Sequence, residues 1–496
     1  MERALSGRSA QVASGPVPEL ILEDDGARSG ARRARAYDRL RRVRLTASPH
    51  VTLAIGTMLV LVLEALRGSD TVGTSPVWPL AQALVSGTAL LIAWRSRARL
   101  RLGPILVLGL AFHLAWIGLH LHLGLTGDHD PVNVYPVQGD VVLHGGYPRS
   151  EYPPGAVALF ALETWLGGGA ARTTNAFLMV PFQLVCVVSV WTLRTQWTPW
   201  LAAVVALWPL NAFYWEFRFD LVATAALLAG LALARRERWW EAGLVLGFGA
   251  AVKWSPALTC AALLLWLLRS RRFAEGGVHL FSFSIPVLLA NVPLLLVKPG
   301  VVFTAYTTQN ARTVTGESFF YLPFRLLWDA RPGRWYFDPA DVSAEANRAA
   351  VWLQIVAVIG VIALAALART RSSAIALAGL APAVFLLTNR IFSPQFFVLI
   401  LAALVAATAL VARTRSELFG VVGACAVATT ANTVLYQSLL ALRPVATVPG
   451  WAFISAIVFL PTIAAAIWLI TRAKLQVVET PLSDQSDRCR ASPLTT

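Results

Sequence analysis

The chain has 496 residues, 56% of them hydrophobic and 14% charged, with a mean hydropathy of +0.61. A soluble domain of this length needs far more charge to cover its surface, so a water-soluble globular protein is excluded. The net charge of +15 comes from 39 arginines against three lysines. Most of these arginines fall in the N-terminal segment and in short links between apolar runs. They therefore indicate membrane orientation and contact with anionic lipid, and no nucleic-acid partner is expected.

The apolar runs predict the fold class. Many of them approach the length needed to cross a bilayer, and they are continuous rather than alternating, which is typical of helices. We therefore expect an all-α, polytopic transmembrane helical bundle with about 12 crossings and one broken helical hairpin. Cys186, Cys260 and Cys425 fall inside apolar runs and are expected to be small buried hydrophobes, and no disulfide framework is indicated.

The N-terminal segment, residues 1–48, contains ten arginines and no apolar span. This composition predicts a disordered cytoplasmic tail. Spans at 50–67, 76–94 and 103–125 follow it. The basic link RSRARLR between the second and third spans falls in the cytoplasm by the positive-inside rule. The third span therefore exits on the outer side of the membrane.

An outer loop, residues 126–173, comes next, and its first part, TGDHDPVNVYPVQGDVVLHGGYPRSEYPP, is polar and rich in turn residues. This part carries four carboxylates: Asp128, Asp130, Asp140 and Glu151. Ionisable groups held at a membrane surface indicate a function, and we interpret the loop as the place of a catalytic base. Residues 155–167 are apolar but short, which favours a helix lying on the outer surface.

The rest of the chain continues the alternation of spans and basic links. The block 241–269 has basic segments at both ends, so it must enter and return, and Lys253-Trp254-Ser255-Pro256 breaks it into a hairpin. A second outer loop is expected at 298–348. The transmembrane domain then covers 49–472, and a cytoplasmic tail over 473–496 places both termini inside. The other spans are predicted at 174–192, 199–214, 220–234, 278–297, 349–369, 373–388, 394–412, 417–441 and 449–471.

Several charges lie away from the basic links, at the outer ends of spans or in the outer loops. They are Glu216, Arg218, Asp220, Lys253, Arg312, Glu317, Arg325 and Arg390. The positive-inside rule predicts few outer cations, so their collection on one side indicates an anionic partner there. For a single residue, snorkelling to the interface or a structural ion pair, such as Arg218 with Asp220, stays an alternative.

Five segments carry a resemblance to a known family. They are Tyr135 followed by EYPPGA (151–156), RFDLVATAALLAGLAL (218–233), AGLVLGFGAAVKWSP (242–256), NARTVTGES (310–318) and RIFSPQFFVLI (390–400). With these segments in consistent order over about 103–412, the chain resembles integral-membrane glycosyltransferases of the GT-C superfamily. It is most similar there to the alpha-1,2-mannosyltransferase-like GT87/DUF2029 group of actinobacteria.

The resemblance implies a hexosyltransferase of the plasma membrane with an extracytoplasmic active site. Its donor would be a polyprenyl-phosphate-linked sugar, with mannose as the first expectation, and its acceptor a lipid or a glycan. The reaction would invert the anomeric carbon and would require no cofactor. Position 131, four residues before the loop tyrosine, is Pro instead of the acidic residue usual in the family. The base therefore falls on Asp130 or on Asp128.

The chemistry of such a transfer assigns roles to the outer charges. A carboxylate must take the proton of the acceptor hydroxyl, and cations must stabilise the departing phosphate. Arginine can also grip a phosphate through two parallel hydrogen bonds. We assign the phosphate to Lys253, Arg312 and Arg390. Candidate sugar- or acceptor-binding residues are Tyr135, Glu151, Tyr152, Arg218, Asp220 and Glu317.

The sequence also allows two other interpretations. The histidines near Asp128 could form a metal site, but the rings of His120 and His122 point about 200° apart on a helix, which is poor for shared ligation. A transporter or flippase of lipid-linked sugars is the main alternative function. Such proteins favour inverted repeats and ionisable groups near the bilayer midplane, whereas these charges collect at one face, which favours chemistry at the membrane surface.

Overall fold

The computed structural model describes residues 48–67, 77–96, 99–123, 133–211, 218–308, 312, 314–315, 318–320, 343–434 and 448–475. The predicted tails lie outside the described residues, apart from Ser48 and positions 473–475. The helices of the described part are α1 (Pro49–Arg67), α2 (Val77–Arg95), α3 (Leu102–His122), α4 (Tyr135–Leu143), α5 (Pro154–Gly167), α6 (Ala171–Thr192), α7 (Thr198–Leu207), α8 (Asp220–Arg235), α9 (Trp239–Val252), α10 (Pro256–Arg269), α11 (Phe273–Val297), α12 (Pro299–Thr307), α13 (Ala344–Ala366), α14 (Arg371–Leu387), α15 (Phe397–Val411), α16 (Arg415–Val434) and α17 (Val448–Leu475).

These helices confirm the all-α, polytopic bundle. Nine helical segments in the described part of the chain are long and apolar enough to cross a membrane. A helix is the form that such segments must take, because it pairs every backbone polar group within the segment itself. The number of crossings, about 12, stays a prediction.

Helix α15 lies at the centre of the bundle. Every residue from Phe397 to Val411 is buried, and α15 packs against α8, α14, α16 and α17. Its five alanines bring neighbouring backbones close, which is how helices associate where burial from water gives no driving force. The central helix thus fixes the positions of the elements that meet at its two ends.

The predicted hairpin is confirmed. Helix α9 ends at Val252, the chain bends over Lys253–Ser255, and α10 begins at Pro256. At the other end of the pair, the rings of Trp239 and Trp266 lie 6.1 Å apart. The two helices therefore run antiparallel, with Lys253 at the tip.

The arginine-rich links gather at one end of the bundle, which we call the basic end. There the indole nitrogen of Trp197 donates to the carbonyl of Ala412 at 2.7 Å, where α7 begins and α15 ends. Glu237, after α8, pairs with Arg272 before α11 and with Arg371 at the start of α14. These contacts place the ends of five helices on the same face, as the alternation of basic links predicted.

The opposite face, which we call the loop end, holds Lys253 and the two segments predicted as outer loops. Helix α5 begins here, with Gly155 against the backbone of Ala251, and ends here, with Gly167 against Thr174 in the first turn of α6. It thus runs across the loop end, as predicted for 155–167. Between α5 and α6 the chain changes direction at Gly168, whose φ is 50°. Residues other than glycine rarely adopt this value.

The structure differs from the prediction at α4, which lies in the segment that the sequence indicated as turns. Pro136 sits in the first turn of α4, where its missing N–H costs nothing. Gly139 allows the helix to approach α5 so closely that an added Cβ would lie 2.4 Å from the carbonyl oxygen of Phe160. Pro136 and Gly139, which indicated a turn in the sequence, instead start a helix and allow it to pack closely against α5.

Replacing Gly155 with alanine is expected to destabilise the loop end. The new Cβ would lie 2.5 Å from the carbonyl oxygen of Ala251, and backbone on both sides cannot yield, so about 1–3 kcal/mol of unfolding free energy is expected to be lost. Thermal unfolding in detergent measures this. Gly118→Ala in α3 is the control, because a Cβ there meets nothing within 4 Å. Equal melting temperatures for the two variants would contradict the close approach.

Candidate active site

Four aromatic rings form the floor of the loop end. Tyr135 and Phe160 stack in parallel, with centroids 4.2 Å apart, and Tyr152 and Phe219 meet Phe160 edge-on at 5.4 and 5.3 Å. Tyr135 is 1% exposed, so its ring face is occupied by Phe160. This cluster packs the segment predicted as the first outer loop against the start of α8. The charged groups around it are therefore carried by elements that are in contact with one another.

The start of α8 carries two of the predicted site residues. Arg218 donates from its Nη1 to the hydroxyl of Tyr135 at 3.4 Å. Asp220 is buried and forms an ion pair with Lys253 at the hairpin tip. The ion pair of Asp220 therefore joins two elements, the start of α8 and the hairpin tip.

Lys253 is held by more than its carboxylate partner. Its ammonium lies over the ring of Phe396, 4.2 Å from the centroid, and 5.8 Å from that of Phe219. An ammonium over an aromatic face is attracted by the ring quadrupole, which stabilises the charge without neutralising it. The hairpin tip thus presents a fixed cation where α8 and α15 begin.

A second ion pair joins the two segments that the sequence predicts as outer loops. Arg312 pairs with Glu151, the first residue of the EYPPGA segment. The two side chains are 31% and 25% exposed, so the pair is open to a ligand from outside. Next to it, Tyr152 donates its backbone N–H to Ser150 Oγ at 2.9 Å, and Ser150 donates to Gln138 on α4 at 2.8 Å.

The segment predicted as the second outer loop is also bonded to the residues before α15. Thr315 donates its backbone N–H to the carbonyl of Arg390 at 2.9 Å, and its hydroxyl accepts from the N–H of Phe392 at 2.9 Å. The same hydroxyl lies 3.2 Å from the carbonyl of Phe392, to which it donates. Arg390 itself is half-buried, and this desolvation lowers the pKa of its guanidinium from the ordinary value. These bonds hold the backbone around Thr315, three residues after Arg312, against the backbone of Arg390 and Phe392.

Thr315→Val is expected to weaken the site, because valine keeps the shape but loses both hydroxyl bonds. We expect a higher KM in a kinetic assay and a lower melting temperature, because the buried N–H of Phe392 loses its acceptor. Thr315→Ser keeps the hydroxyl and is expected to restore the wild-type KM. If the valine and serine variants behave alike in a kinetic assay, the hydroxyl does not set the register of the two arginines.

The structure brings eight of the predicted site residues to one face: Tyr135, Glu151, Tyr152, Arg218, Asp220, Lys253, Arg312 and Arg390. Asp128, Asp130 and Glu317 lie outside the described residues, as do Glu216 and Arg325. The sequence did not single out Phe160, Phe219, Phe396 or Thr315 as parts of the site. Phe219, Phe396 and Thr315 belong to the motifs RFD, SPQF and ARTVTGES. Their position within these motifs is the sequence signal that could have identified them as site residues.

Two of the histidines near the predicted first outer loop, His120 and His144, have other partners. His120 bonds through Nε2 to the buried Glu64 at 3.0 Å, and Gln82 donates to the same carboxylate at 2.6 Å. His144 bonds to Asp140 one turn before it. Among the residues that the structure describes, no three His, Cys, Asp or Glu side chains are grouped so that they could hold a metal ion. Cys186, Cys260 and Cys425 are buried, free thiols, as expected.

Fold and site together define a polytopic helical membrane protein whose cations and carboxylates converge at one end of the bundle. The family model of glycosyltransferase family 87 (GT87) matches residues 151–394, which include the described site residues except Tyr135 and Phe396. This match confirms the resemblance to glycosyltransferase family 87 that the motifs indicated.

The chain is also similar to a curated protein of Mycobacterium tuberculosis (strain CDC 1551 / Oshkosh), polyprenol-phosphate-mannose-dependent alpha-(1-2)-phosphatidylinositol pentamannoside mannosyltransferase. The two are 31% identical over 101 residues, which cover 20% of this chain and 21% of the relative. The chain thus spans about a fifth of the length of that relative. No solved structure matches.

Proposed function

We propose that this protein transfers a sugar, mannose first, from a polyprenyl-phosphate-linked donor to a lipid or glycan acceptor. The single observation that carries the proposal is that Lys253, Arg312 and Arg390 lie with two carboxylates at the loop end of a chain that the GT87 model matches. The relative of M. tuberculosis is named for a polyprenol-phosphate-mannose donor and a phosphatidylinositol pentamannoside acceptor. That name supports the donor class and makes mannose the first sugar to test.

The proposed reaction needs one proton transfer and one bond exchange at carbon. A carboxylate, Asp130 or Asp128, takes the proton from the acceptor hydroxyl as its oxygen attacks the anomeric carbon from the face opposite the phosphate. The bond from the anomeric carbon to the phosphate oxygen breaks, and polyprenyl phosphate leaves with the electron pair. The anomeric carbon is inverted, and no cofactor takes part.

The cations act on the leaving group. Negative charge on the phosphate grows as the bond breaks, and positioned cations stabilise the transition state more than the ground state. Lys253 is suited to this because its hydrogen-bond partner Asp220 and the ring of Phe396 hold it in place. Thr315, three residues after Arg312, is bonded to the backbone of Arg390, and we assign both guanidinium groups to the phosphate.

The membrane orientation is part of the proposal. Because the arginine-rich links gather at the basic end, the positive-inside rule assigns that end to the cytoplasm. The loop end, with the proposed site, is then extracytoplasmic, and both tails are cytoplasmic. This orientation suits a lipid-linked donor, whose head group sits at the membrane surface.

A direct test uses membranes containing the protein and a panel of radiolabelled donors. We expect label from polyprenyl-phosphate mannose to enter a lipid or glycan product, while nucleotide-linked mannose is left unused. Protein-free membranes from the same host give the background. Transfer from the nucleotide sugar, with polyprenyl-phosphate sugars unused, would overturn the donor assignment.

A further inference from the structure

An apolar groove with a volume of about 740 Å³ lies between α2, α7 and α16. Apart from Thr88 and Thr430, its lining consists of apolar side chains, tryptophans and glycines. A Cβ added at Gly87 on α2 or at Gly423 on α16 would meet nothing within 4 Å, so the two walls stand apart there. Hydrocarbon suits such a space, because its walls offer water too few hydrogen-bond partners.

Two walls of the groove end in an arginine at the basic end. On α16, Leu418 and Phe419 line the groove, and Arg415 precedes them by three and four residues, which places it on the same helical face. On α2, Arg95 follows the lining residue Leu91 by four residues. Both arginines are exposed. The groove is therefore apolar along its length and has cations beside one end.

Aromatic rings connect Arg415 to the groove. Its guanidinium lies 5.9 Å from the centroid of the Trp94 ring, and Trp94 lines the groove. The same ring lies 4.8 Å from that of Trp200 on α7 and 5.2 Å from that of Phe419 on α16, so it contacts the other two walls. Tryptophan rings are typical of the level of the lipid head groups. The arginines beside Trp94 are therefore well placed to meet a head group.

The positive charge of Arg95 and Arg415 is open to a ligand. Neither forms an ion pair within the described part of the chain. The carboxylate nearest to Arg415 in sequence, Glu417, pairs with Arg472 at 3.1 Å. It also accepts two backbone N–H groups, those of residues 413 and 414, at 2.6 and 2.9 Å. Exposed guanidinium groups without a carboxylate partner suit a phosphate, which accepts two parallel hydrogen bonds from arginine.

The length of the groove matches a lipid chain. On α2 it extends from Leu80 to Trp94, and fourteen helical positions correspond to about 21 Å. One leaflet contributes about half of the roughly 30 Å hydrocarbon core of a bilayer. An acyl chain that starts at the head-group level beside Trp94 can therefore lie in the groove over its whole length.

We propose that this groove binds an anionic phospholipid of the adjacent leaflet, with its phosphate at Arg95 and Arg415 and an acyl chain along the groove. The lipid fills the space between α2 and α16, two helices that lie outside the matched residues 151–394. The basic end is opposite the face that holds Lys253. The lipid is therefore a structural ligand that takes no part in the proposed transfer of sugar.

The first test measures lipid binding to the purified, full-length protein in detergent after native lipid has been removed. Phosphatidylglycerol and phosphatidylcholine with the same acyl chains are titrated, and bound lipid is counted by native mass spectrometry. We expect phosphatidylglycerol to bind about thirtyfold more tightly, because two cations act on its net charge. Equal affinities would overturn the proposal and mean that bulk lipid fills the groove. Displacement of the lipid by inorganic phosphate at equal concentration would also overturn it, since the acyl chain would then contribute nothing.

Arginine variants test the position of the phosphate. The double variant Arg95→Gln, Arg415→Gln is expected to bind phosphatidylglycerol no more tightly than phosphatidylcholine, whereas lysine at both positions keeps most of the preference. Arg269→Gln is the matched control, because Arg269 is exposed at the end of α10 and does not line the groove. An equal loss in Arg269→Gln would show that general surface charge attracts the lipid, and the proposed site would be wrong.

Glycine variants test the position of the acyl chain. Gly87→Leu and Gly423→Leu fill the groove without displacing packed atoms, and we expect each to weaken phosphatidylglycerol binding about tenfold, because burial of the acyl chain is lost. Gly360→Leu on α13 is the control, since Gly360 is also helical, exposed and next to open space. Wild-type binding in both groove variants would overturn the proposal. None of these measurements depends on transferase activity.

Discussion

Replacing Lys253 with methionine is expected to reduce sugar transfer by about 100-fold or more. The side chain is nearly the same length, so the change removes the cation while keeping most of the packing against Phe396. Removing one preorganised group that stabilises transition-state charge typically costs 10²–10³ in kcat. Initial rates with saturating donor measure this. Lys298→Met is the control, since Lys298 is exposed between α11 and α12 and has no place in the proposed site.

The same substitution is also expected to lower stability, and a second change separates the two effects. Lys253→Met leaves the carboxylate of Asp220 buried without its cation, at a cost of about 3–5 kcal/mol. Adding Asp220→Asn removes that charge and is expected to restore most of the melting temperature. The double variant should still be inactive. Recovered activity in the double variant would mean that Lys253 serves only as a counter-ion.

Asp130→Asn is expected to reduce transfer by about 1,000-fold, because the amide cannot take the proton of the acceptor hydroxyl. Asparagine has nearly the same shape as aspartate, so the donor KM should change little. If Asp128 is the base instead, Asp128→Asn shows that loss and Asp130→Asn does not. Single-turnover rates with bound donor distinguish the two.

A carboxylate of the same outer loop provides the control for the aspartate variants. Asp140 lies on α4, is well exposed, and bonds to His144, the residue that follows this helix. Asp140→Asn is therefore expected to transfer sugar at the wild-type rate. Retained activity in both Asp128→Asn and Asp130→Asn, with the protein folded, would contradict an aspartate base in this loop.

The hairpin and the positions of most helices could be predicted because their signals are local. Pro256 interrupts the helix at a single residue, and arginines at both ends of 241–269 require the chain to return. Long apolar runs likewise leave few choices other than helices. The structure places the break within one residue of where proline chemistry indicated it.

The partners of the charged residues could not be predicted in the same way. Arg218 and Asp220 are two positions apart, yet Asp220 pairs with Lys253, which is 33 residues away. Glu151 and Arg312 are separated by 161 residues. Such pairs depend on which helix ends pack together, and a single sequence carries no direct signal for that. Helix α4 was missed for the same reason, since its support is the packing of Gly139 on α5.

Purified protein in proteoliposomes, supplied with polyprenyl-phosphate [¹⁴C]mannose and a lipid acceptor extract, tests the central claim most directly. The two quantities to follow are labelled product and released polyprenyl phosphate. A glycosyltransferase forms both at equal rates, and Lys253→Met forms neither at a rate comparable to the wild type. Movement of intact donor across the bilayer, without labelled product or free polyprenyl phosphate, would contradict the account and identify a flippase.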